Sequence, residues 1–327
     1  MKTIFQLFIL IFLICCLSTS RADSWETGKK LYDLDKYRQA YPYLNKAASS
    51  GNPKASYVLG QMYRFGYGVK QDYQQAFLHY LDAARQGNVD GEFALGYMYE
   101  HGLFVTQDYV KARTWYEYAA QQGETDSQIN LAGLYRNGLG GPQNEKIAFD
   151  WMMKAALAGD SFGQYGIGLY YQHGSGVKQD YTEARKWYQK AVAQENRAAK
   201  TNLGHLYLEG KGGPKDQQKG VVLIKESANE GSKAAQYTLA NLYADGEGVP
   251  QSDEQALYWF HKAAENDSAL AMDRLAKAYL NGNYGLEKSP VKWDYWQKRA
   301  KETRARTHEV DPSTWTIFDW IKYKLSN

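Results

Sequence analysis

Six histidines are the side chains best suited to bind a metal ion, and their spacing argues against a shared site. His101 and His173 occupy equivalent positions two 36-residue periods apart. Stacked helical layers lie ~10 Å apart, which would separate these imidazoles by about 20 Å, too far for one zinc ion. The other four occupy unrelated positions: His79, His205, His261 and His308. We therefore predict no metal site and no metal cofactor.

Two glycine-rich segments, 138–141 and 210–213, have the composition of phosphate-binding loops. A phosphate-binding loop follows a strand and continues into Gly-Lys-Ser or Gly-Lys-Thr, and neither feature is present in this sequence. We predict that both segments are turns, so no nucleotide cofactor is expected. The carboxylates Glu209, Asp245 and Glu247 are placed to gather on one inner face, but nothing in their spacing marks an acid–base pair. The expectation is a protein that is not an enzyme.

The N-terminal segment has the pattern of a secretory signal peptide. Lys2 is followed by a nearly unbroken apolar stretch, residues 4–17, and the small side chains of Ser20 and Ala22 provide a cleavage site. We predict a signal peptide at residues 1–22 and export to the periplasm or out of the cell. An uncleaved membrane anchor is the alternative, although a span needs ~20 apolar residues.

Both cysteines, Cys15 and Cys16, lie inside this predicted signal peptide. The sequence before Cys15 lacks the small residue that precedes a lipidated cysteine, so a lipoprotein is the weaker alternative. The mature chain would contain neither a cysteine nucleophile nor a disulfide. Its stability would therefore depend on packing between neighbouring parts of the chain.

A tyrosine and a glycine recur at intervals of 36 residues through most of the chain. The tyrosines are Tyr63, Tyr99, Tyr135, Tyr171, Tyr207, Tyr243 and Tyr279, and the glycines are Gly66, Gly102, Gly138, Gly174, Gly210, Gly246 and Gly282. Seven repeats without an insertion indicate one structural element stacked on its neighbours, which alone bury its apolar faces.

Each repeat has the pattern of two helices. In residues 53–88, apolar side chains fall at helical spacing before Gly66, which is placed to end the first helix. Asp72 is placed to cap a second helix, which ends before Gly87. Connections this short require an antiparallel helix pair. We predict an all-α, right-handed α-solenoid of about seven such pairs.

Comparison of the seven repeats identifies positions that pack. One position of the first helix is aliphatic in every repeat, and the next is always glycine or alanine, as at Gly60, Gly96 and Gly168. The second helix has tryptophan at one position in four repeats, and Tyr295 falls in that column in the last repeat. A position restricted to glycine or alanine predicts the close approach of another backbone.

The repeat, with its core Leu-Gly-x2-Tyr-x2-Gly-x-Gly-Val, resembles the Sel1-like repeat. Residues 66–73 (GYGVKQDY) and 174–181 (GSGVKQDY) match the loop of that family almost letter for letter. The resemblance implies a tetratricopeptide-related helical array that acts as an adaptor in protein complexes. For exported bacterial members it also implies roles in the envelope or in host-cell contact. One cysteine-rich branch of the family includes members that bind penicillin, but this chain lacks the repeat cysteines of that branch.

The repeat pattern sets the predicted domain boundaries. Residues 23–52 keep the register of a second helix without the glycine loop, and we predict a divergent tetratricopeptide-like first repeat there. The Sel1-like array is predicted at residues 53–300, followed by a tail at 301–327. A final helix in the tail has an apolar face that consists of Trp315, Phe318, Ile321 and Leu325. We predict that this helix caps the array; docking to a membrane or another protein is the alternative.

Positions that do not repeat form a stripe along the first helices, at i, i+4, i+7 and i+11. Because these positions vary, we expect that they do not fix the stack, and in helical solenoids one helix of each pair lines the concave side. We predict that the stripe binds a partner protein or peptide, with aromatic anchors. The candidate residues are Phe65, Tyr97, His101, Phe162, Leu169, His173 and His205. The alternative is a solvated surface without a partner.

Net charge is +3 with both signs interspersed, so no basic surface for nucleic acid is expected. We predict a non-catalytic protein–protein interaction scaffold whose partner and oligomeric state the sequence does not identify. Two other functions stay open: a cell-wall or β-lactam-active enzyme, by analogy with the cysteine-rich branch, and an envelope regulator of a partner enzyme.

Overall fold

The computed structural model of the protein describes residues 24–307. The predicted signal peptide (1–22) and the predicted final helix (from residue 311) lie outside the described residues. The described part consists of helices and turns and contains no β-strand. It divides into two compact halves, an N-terminal half through Asn144 and a C-terminal half from Glu145. The prediction of an all-α solenoid is confirmed.

The helices follow the 36-residue period. In the N-terminal half they are α1 (residues 24–33), α2 (Tyr37–Ser49), α3 (Pro53–Phe65), α4 (Tyr73–Arg85), α5 (Val89–His101), α6 (Tyr109–Gln121) and α7 (Thr125–Asn137). In the C-terminal half they are α8 (Glu145–Leu157), α9 (Ser161–His173), α10 (Tyr181–Val192), α11 (Arg197–Glu209), α12 (Gln217–Asn229), α13 (Lys233–Asp245), α14 (Asp253–Glu265), α15 (Ala269–Asn281) and α16 (Pro290–Thr307). A 3-10 turn at Asn283–Gly285 precedes α16.

Two kinds of helix alternate along the chain. The first helices of the repeats are α3, α5, α7, α9, α11, α13 and α15, and the second helices are the even-numbered ones from α4 to α16. In the N-terminal half, α4 packs on both α3 and α5, and α6 packs on both α5 and α7. In the C-terminal half the same alternation runs without interruption from α8 to α16. Within each half, the helices therefore bury their apolar sides against their neighbours in the sequence.

Side-chain caps fix where the helices of each repeat begin. The predicted cap Asp72 is confirmed, because its carboxylate accepts hydrogen bonds from the backbone N–H groups of Gln74 and Gln75. In the same way, Asp108 and Asp216 each accept a backbone hydrogen bond at the start of a second helix. Caps of the first helices were not predicted, and they fall at one position of the repeat: Asn52, Asn88, Glu124, Asp160, Asn196, Ser232 and Ser268. Each cap satisfies N–H groups that the helix itself leaves unpaired.

Each first helix ends at the predicted glycine, in the left-handed conformation with φ between 65° and 76°. A glutamine in the following loop closes the end of the helix in several repeats. Gln71 Nε2 donates to the Arg64 carbonyl at 2.8 Å, and Gln107 Nε2 donates to the Glu100 carbonyl at 2.7 Å. This contact, which was not predicted, satisfies a carbonyl oxygen that has no partner within the helix.

A polar contact between residues 30 apart joins the start of a first helix to the turn after the second helix. The paired residues differ from repeat to repeat: Glu92 with Gln122 at 2.6 Å, Gln164 with Gln194 at 2.9 Å, Lys200 with Glu230 at 2.6 Å, and Gln236 with Asn266 at 2.9 Å. The contact keeps its place in these four repeats although one or both of its residues differ from repeat to repeat.

The predicted column of small residues faces an aromatic ring rather than a backbone. An added Cβ would lie 2.5 Å from the ring of Tyr80 at Gly60, 2.6 Å from that of Tyr116 at Gly96, and 2.3 Å from that of Tyr188 at Gly168. Each tyrosine belongs to the second helix of the same repeat and is at most 1% exposed. The expectation of a close backbone neighbour is therefore wrong at these positions, where glycine makes room for a buried ring.

The last repeat departs from the period by one residue. Ser289 caps α16 one position later than the period requires, and this extra loop residue shifts the register of the helix. Tyr295, which the sequence places in the tryptophan column, is consequently 51% exposed, and the buried ring is Trp296, at 8%. α16 also continues to Thr307, beyond residue 300, where the sequence places the end of the array.

We expect that Gly168→Ala lowers the stability of the C-terminal half. Alanine improves helix propensity by roughly 1 kcal/mol, but its Cβ meets the Tyr188 ring, and overpacking of this kind costs about 1–3 kcal/mol. Urea unfolding followed by circular dichroism measures the change. As a control, Gly168→Ala combined with Tyr188→Ile should lose less stability than the two single changes add up to. Stability of Gly168→Ala equal to or above that of the wild type would contradict the contact.

Two capping aspartates provide a pH-dependent contribution to stability. Backbone hydrogen bonds from Lys111 and Lys219 lower the pKa of Asp108 and Asp216, respectively, below the usual value near 3.8. A carboxyl whose pKa is lowered on folding stabilises the protein above its unfolded pKa, and this contribution is lost as pH falls through the folded pKa. Asparagine keeps the cap without the charge, so the Asp108→Asn/Asp216→Asn variant should lose less stability than the wild type between pH 5 and pH 2. Parallel acid curves for the two proteins would refute this.

Candidate partner-binding surface

The predicted stripe on the first helices is partly inside the fold. Its second position is buried, since Val58, Ala94 and Asn130 are 4%, 3% and 9% exposed. In the C-terminal half, the Asn202 amide at this position donates to the hydroxyls of Tyr165 and Tyr188, both at 3.4 Å. These side chains hold neighbouring helices together, so the premise that the stripe takes no part in packing is wrong at this position.

The last position of the stripe lies at the surface. Phe65, His101 and His173 are the final residues of α3, α5 and α9, and all three are exposed. The Phe65 ring is 48% exposed. A partner that approaches the C-terminal ends of the first helices would meet these side chains first.

In the N-terminal half, the structure brings three predicted residues together around Arg64. The rings of Tyr97 and His101 stack with 4.0 Å between their centroids, and His101 Nδ1 lies 2.9 Å from the Tyr97 carbonyl oxygen. The guanidinium carbon of Arg64 lies 4.2 Å from the Tyr97 ring centroid and 4.8 Å from the Phe65 ring centroid. We call Arg64, Phe65, Tyr97 and His101 the Arg64 cluster.

Sequence reasoning missed Arg64 because it considered one helix at a time. Arg64 and Tyr97 are 33 residues apart, about one helical turn less than the repeat, and lie side by side in neighbouring first helices. His205 and Thr238 have the same spacing and are also in contact. The sequence signal is therefore a chemically matched pair at a separation of 33 residues.

Aromatic side chains continue from the Arg64 cluster toward α1. The rings of Phe65 and Tyr67 stack at 5.3 Å, those of Tyr67 and Tyr37 at 4.8 Å, and those of Tyr37 and Tyr32 are 5.1 Å apart. The Tyr37 hydroxyl donates to Asp35 at 2.5 Å, and this hydrogen bond raises the pKa of Tyr37 to about 12. Tyr67 is 38% exposed, so the row presents apolar surface beside the cluster.

Phe104 is a further unpredicted feature of the N-terminal half. Its φ of 66° lies in the left-handed region, where the equivalent residue of the preceding repeat is Gly68. The ring is 52% exposed and packs against Phe77 at 5.7 Å. A bulky residue in this conformation is strained, and strain of this kind is typical of positions under functional constraint.

The predicted residues of the C-terminal half have more structural roles. Phe162 and Leu169 are partly buried, and Leu169 packs against the hydrophobic core around Tyr188. His205 Nε2 lies 3.0 Å from Thr238 Oγ1 in the next first helix, and burial lowers the pKa of His205. His173 is exposed. The strongest accessible group of predicted residues is therefore the Arg64 cluster.

The carboxylates near these surfaces do not form acid–base pairs. The Tyr116 hydroxyl donates to Glu100 at 2.6 Å; burial raises the pKa of Glu100, and this hydrogen bond opposes the rise. Glu209 forms an ion pair with Lys211 at 2.6 Å, and Glu247 forms one with Lys215 at 3.3 Å. Each of these three carboxylates has a structural or surface partner.

Ser161 matches a catalytic letter pattern that sequence reasoning overlooked. Residues 159–163 read Gly-x-Ser-x-Gly, as in a nucleophile elbow, which requires a strand before the serine. Here α8 precedes it and Ser161 is the first residue of α9. The adjacent Asp160 caps this helix through the N–H groups of Phe162 and Gly163, both at 2.8 Å. The segment is a helix start and not a nucleophile elbow.

Neither a metal-binding cluster nor a membrane-spanning helix occurs in the part of the chain from residue 24 to residue 307. In that part, no group of three or more His, Cys, Asp or Glu side chains is arranged to hold a metal ion. None of the helices described there combines the length and hydrophobicity that crossing a bilayer requires.

Two solved structures resemble this chain in sequence and fold. A Sel1 repeat protein from Oxalobacter formigenes is 32% identical with a TM-score of 0.55, over 85% of this chain and 96% of that one. A protective antigen of uropathogenic Escherichia coli strains, which displays an SLR fold, is 28% identical with a TM-score of 0.50, over 93% of this chain and 82% of that one. A search of curated proteins gives no significant match.

The model of the Sel1 repeat family matches eight consecutive segments of this chain. They are residues 26–52, 53–88, 89–124, 125–160, 161–196, 197–232, 233–268 and 269–292. The first segment falls in the part that was predicted to be a divergent first repeat. Sel1 repeat proteins are generally non-enzymatic scaffolds for protein interactions. With the repeats, the helix pairs and the related structures in agreement, this chain belongs to the Sel1 repeat family.

Proposed function

We propose that this protein is a non-catalytic interaction scaffold, exported to the bacterial envelope or secreted, that binds a segment of a partner protein at the exposed ends of its first helices. The observation that carries the proposal is the Arg64 cluster, with Phe65 48% exposed and His101 at the surface. Aromatic and arginine side chains at a surface are the ones that dominate protein interfaces.

The contrast between repeating and non-repeating rings supports this choice of surface. The rings of Tyr80, Tyr116 and Tyr188, which recur at one position of the second helices, are at most 1% exposed. Phe65 and Phe104 do not recur, and each is about half exposed. Packing explains the first set but not the second. Exposed apolar side chains grouped on one part of a surface are typical of interaction sites.

The sequence of the N-terminal segment supports export. The description of one relative supports contact with a host. Residues 1–22 have the basic start, apolar stretch and small-residue exit of a signal peptide. The Escherichia coli relative is a protective antigen, and a protein of this kind is met by the host's immune system. We propose that this chain likewise acts outside the cytoplasm, where a host cell can be its partner.

Site-specific photocrosslinking tests the binding surface. With p-benzoylphenylalanine at position 65 or 101 of the full-length protein in its native cells, we expect a crosslinked adduct with a partner protein. The same group at position 78 or 118 should give none, because Leu78 and Tyr118 are exposed to a similar extent (49% and 52%) but lie on second helices. Adducts only from positions 78 and 118, or from none of the four, would refute the proposed surface.

Export makes a separate prediction about the mature chain. We expect the protein in the periplasmic or culture fraction, with Asp23 at its N-terminus after cleavage behind Ala22. Mass spectrometry of the purified native protein identifies that terminus. A control variant with Ala22→Arg should accumulate with the N-terminal segment attached. Wild-type protein that keeps residues 1–22 in the membrane fraction would show an uncleaved anchor instead.

A further inference from the structure

The guanidinium of Arg64 is held in place without a carboxylate partner. No carboxylate of residues 24–307 forms an ion pair with Arg64 within 4.0 Å. By comparison, Arg306 pairs with Asp267 at 2.7 Å, and the Arg185 guanidinium, which lies over the Tyr207 ring, donates to the Pro214 carbonyl at 3.1 Å. Arg185 is buried, whereas Arg64 is only partly buried. Burial raises the pKa of Tyr80, and a side-chain hydrogen bond with Arg64 opposes the rise, so the guanidinium also reaches the Tyr80 hydroxyl. Arg64 is thus ordered by the protein and partly accessible, and no carboxylate pairs with its charge.

Ring contacts fix the orientation of this guanidinium. Arg64 and His101 both lie over the Tyr97 ring, 4.2 Å and 4.0 Å from its centroid. Two planar groups cannot share one face of a ring at these distances, so Tyr97 is stacked between them. Stacking uses the flat face of a guanidinium, so the N–H donors at its edge stay available except where Arg64 meets the Tyr80 hydroxyl. A fork of donors held in this way is suited to a carboxylate, which accepts two parallel hydrogen bonds.

An apolar platform lies next to this fork of donors. The Phe65 ring is 4.8 Å from the Arg64 guanidinium and is stacked on Tyr67, and the two rings are 48% and 38% exposed. A ligand that fits both features carries a negative charge and, within a few residues, a large apolar side chain. A partner with only one of the two features would leave either the charge or the rings without a contact.

We propose that the Arg64 cluster recognises a peptide segment in which an acidic side chain is followed or preceded by an aromatic or aliphatic one. Arg64 binds the carboxylate, and Phe65 with Tyr67 packs against the apolar side chain. This inference rests on the proposed scaffold function and specifies the chemistry of the partner. Charge complementarity carries it, because the cluster offers an unpaired cation beside accessible rings.

Defined synthetic peptides test the inference on the mature protein. The probes are dodecapeptides of glycine and serine that contain one glutamate and one tryptophan, separated by one to four residues, each made with a free and an amidated C-terminus. Matched probes carry lysine or glutamine in place of glutamate. Fluorescence anisotropy measures binding to the wild type, to Arg64→Gln and to Arg85→Gln, which removes the same charge from an exposed position on the second helix α4. Circular dichroism confirms that the variants fold.

We expect at least one spacing of glutamate and tryptophan to bind the wild type and Arg85→Gln equally, and Arg64→Gln about tenfold or more weakly. Replacement of the probe's glutamate by lysine or glutamine should cause a similar loss, with no effect of amidation. Equal binding of acidic and neutral probes, or equal binding to the wild type and Arg64→Gln, would overturn this inference and leave the scaffold function intact. The inference would also be overturned if amidation of the C-terminus alone abolished peptide binding. It would likewise be overturned if an oligophosphate probe bound the wild type as tightly as the peptide does and bound Arg64→Gln equally weakly. No crosslinked partner in cells and no bound peptide would reject both proposals.

Discussion

The stack depends on how closely a first helix and a second helix approach where a glycine meets a tyrosine ring. At Gly168 there is no space for even one added carbon beside Tyr188. Burial of a ring of this size stabilises a protein by about 1.5–3 kcal/mol, and the same contact is made by Gly60 with Tyr80 and by Gly96 with Tyr116. In the fifth repeat Gly204 keeps the glycine position, and the side chain it meets is Ile224, 2.9 Å from where a Cβ would lie. The glycine therefore makes room for a large side chain even where that side chain is not a ring.

A buried tyrosine also requires a partner for its hydroxyl, since an unsatisfied buried polar group costs about 1–3 kcal/mol. The Tyr116 hydroxyl donates to Glu100 at 2.6 Å, and that of Tyr188 donates to Gln172 at 2.7 Å. Asn202 of the following first helix supplies a second partner to Tyr188. The Tyr188 hydroxyl thus hydrogen-bonds to polar side chains on two first helices at once. The end of each first helix, where the chain turns into the glycine loop, lies beyond these hydroxyl contacts.

These dependencies explain which parts of the structure the sequence predicts. The helix pairs, the cap at Asp72 and the glycine ends follow from patterns within about ten residues, and all are confirmed. Trp296 was missed because a one-residue insertion in the preceding loop shifts the helix, and no pattern within α16 records that shift. The Arg64 cluster was recognised only in part, because its central contact joins residues of different repeats. Patterns within one helix predict the helices and their ends, whereas the Arg64 cluster depends on residues of neighbouring repeats that the 36-residue period brings together.

Variation between repeats is by itself a poor guide to a binding surface. The contact between residues 30 apart is made by Glu92 and Gln122 in one repeat and by Lys200 and Glu230 in another. Both positions vary, yet both are structural, because the residues present in each of these repeats still bond to each other. A position is free for recognition only when it varies, is accessible and lacks such a matching residue. Arg64 varies and is partly accessible. It meets the Tyr80 hydroxyl as Glu100 meets that of Tyr116, but it has no residue that matches its charge, because its other contacts are with the Tyr97 and Phe65 rings.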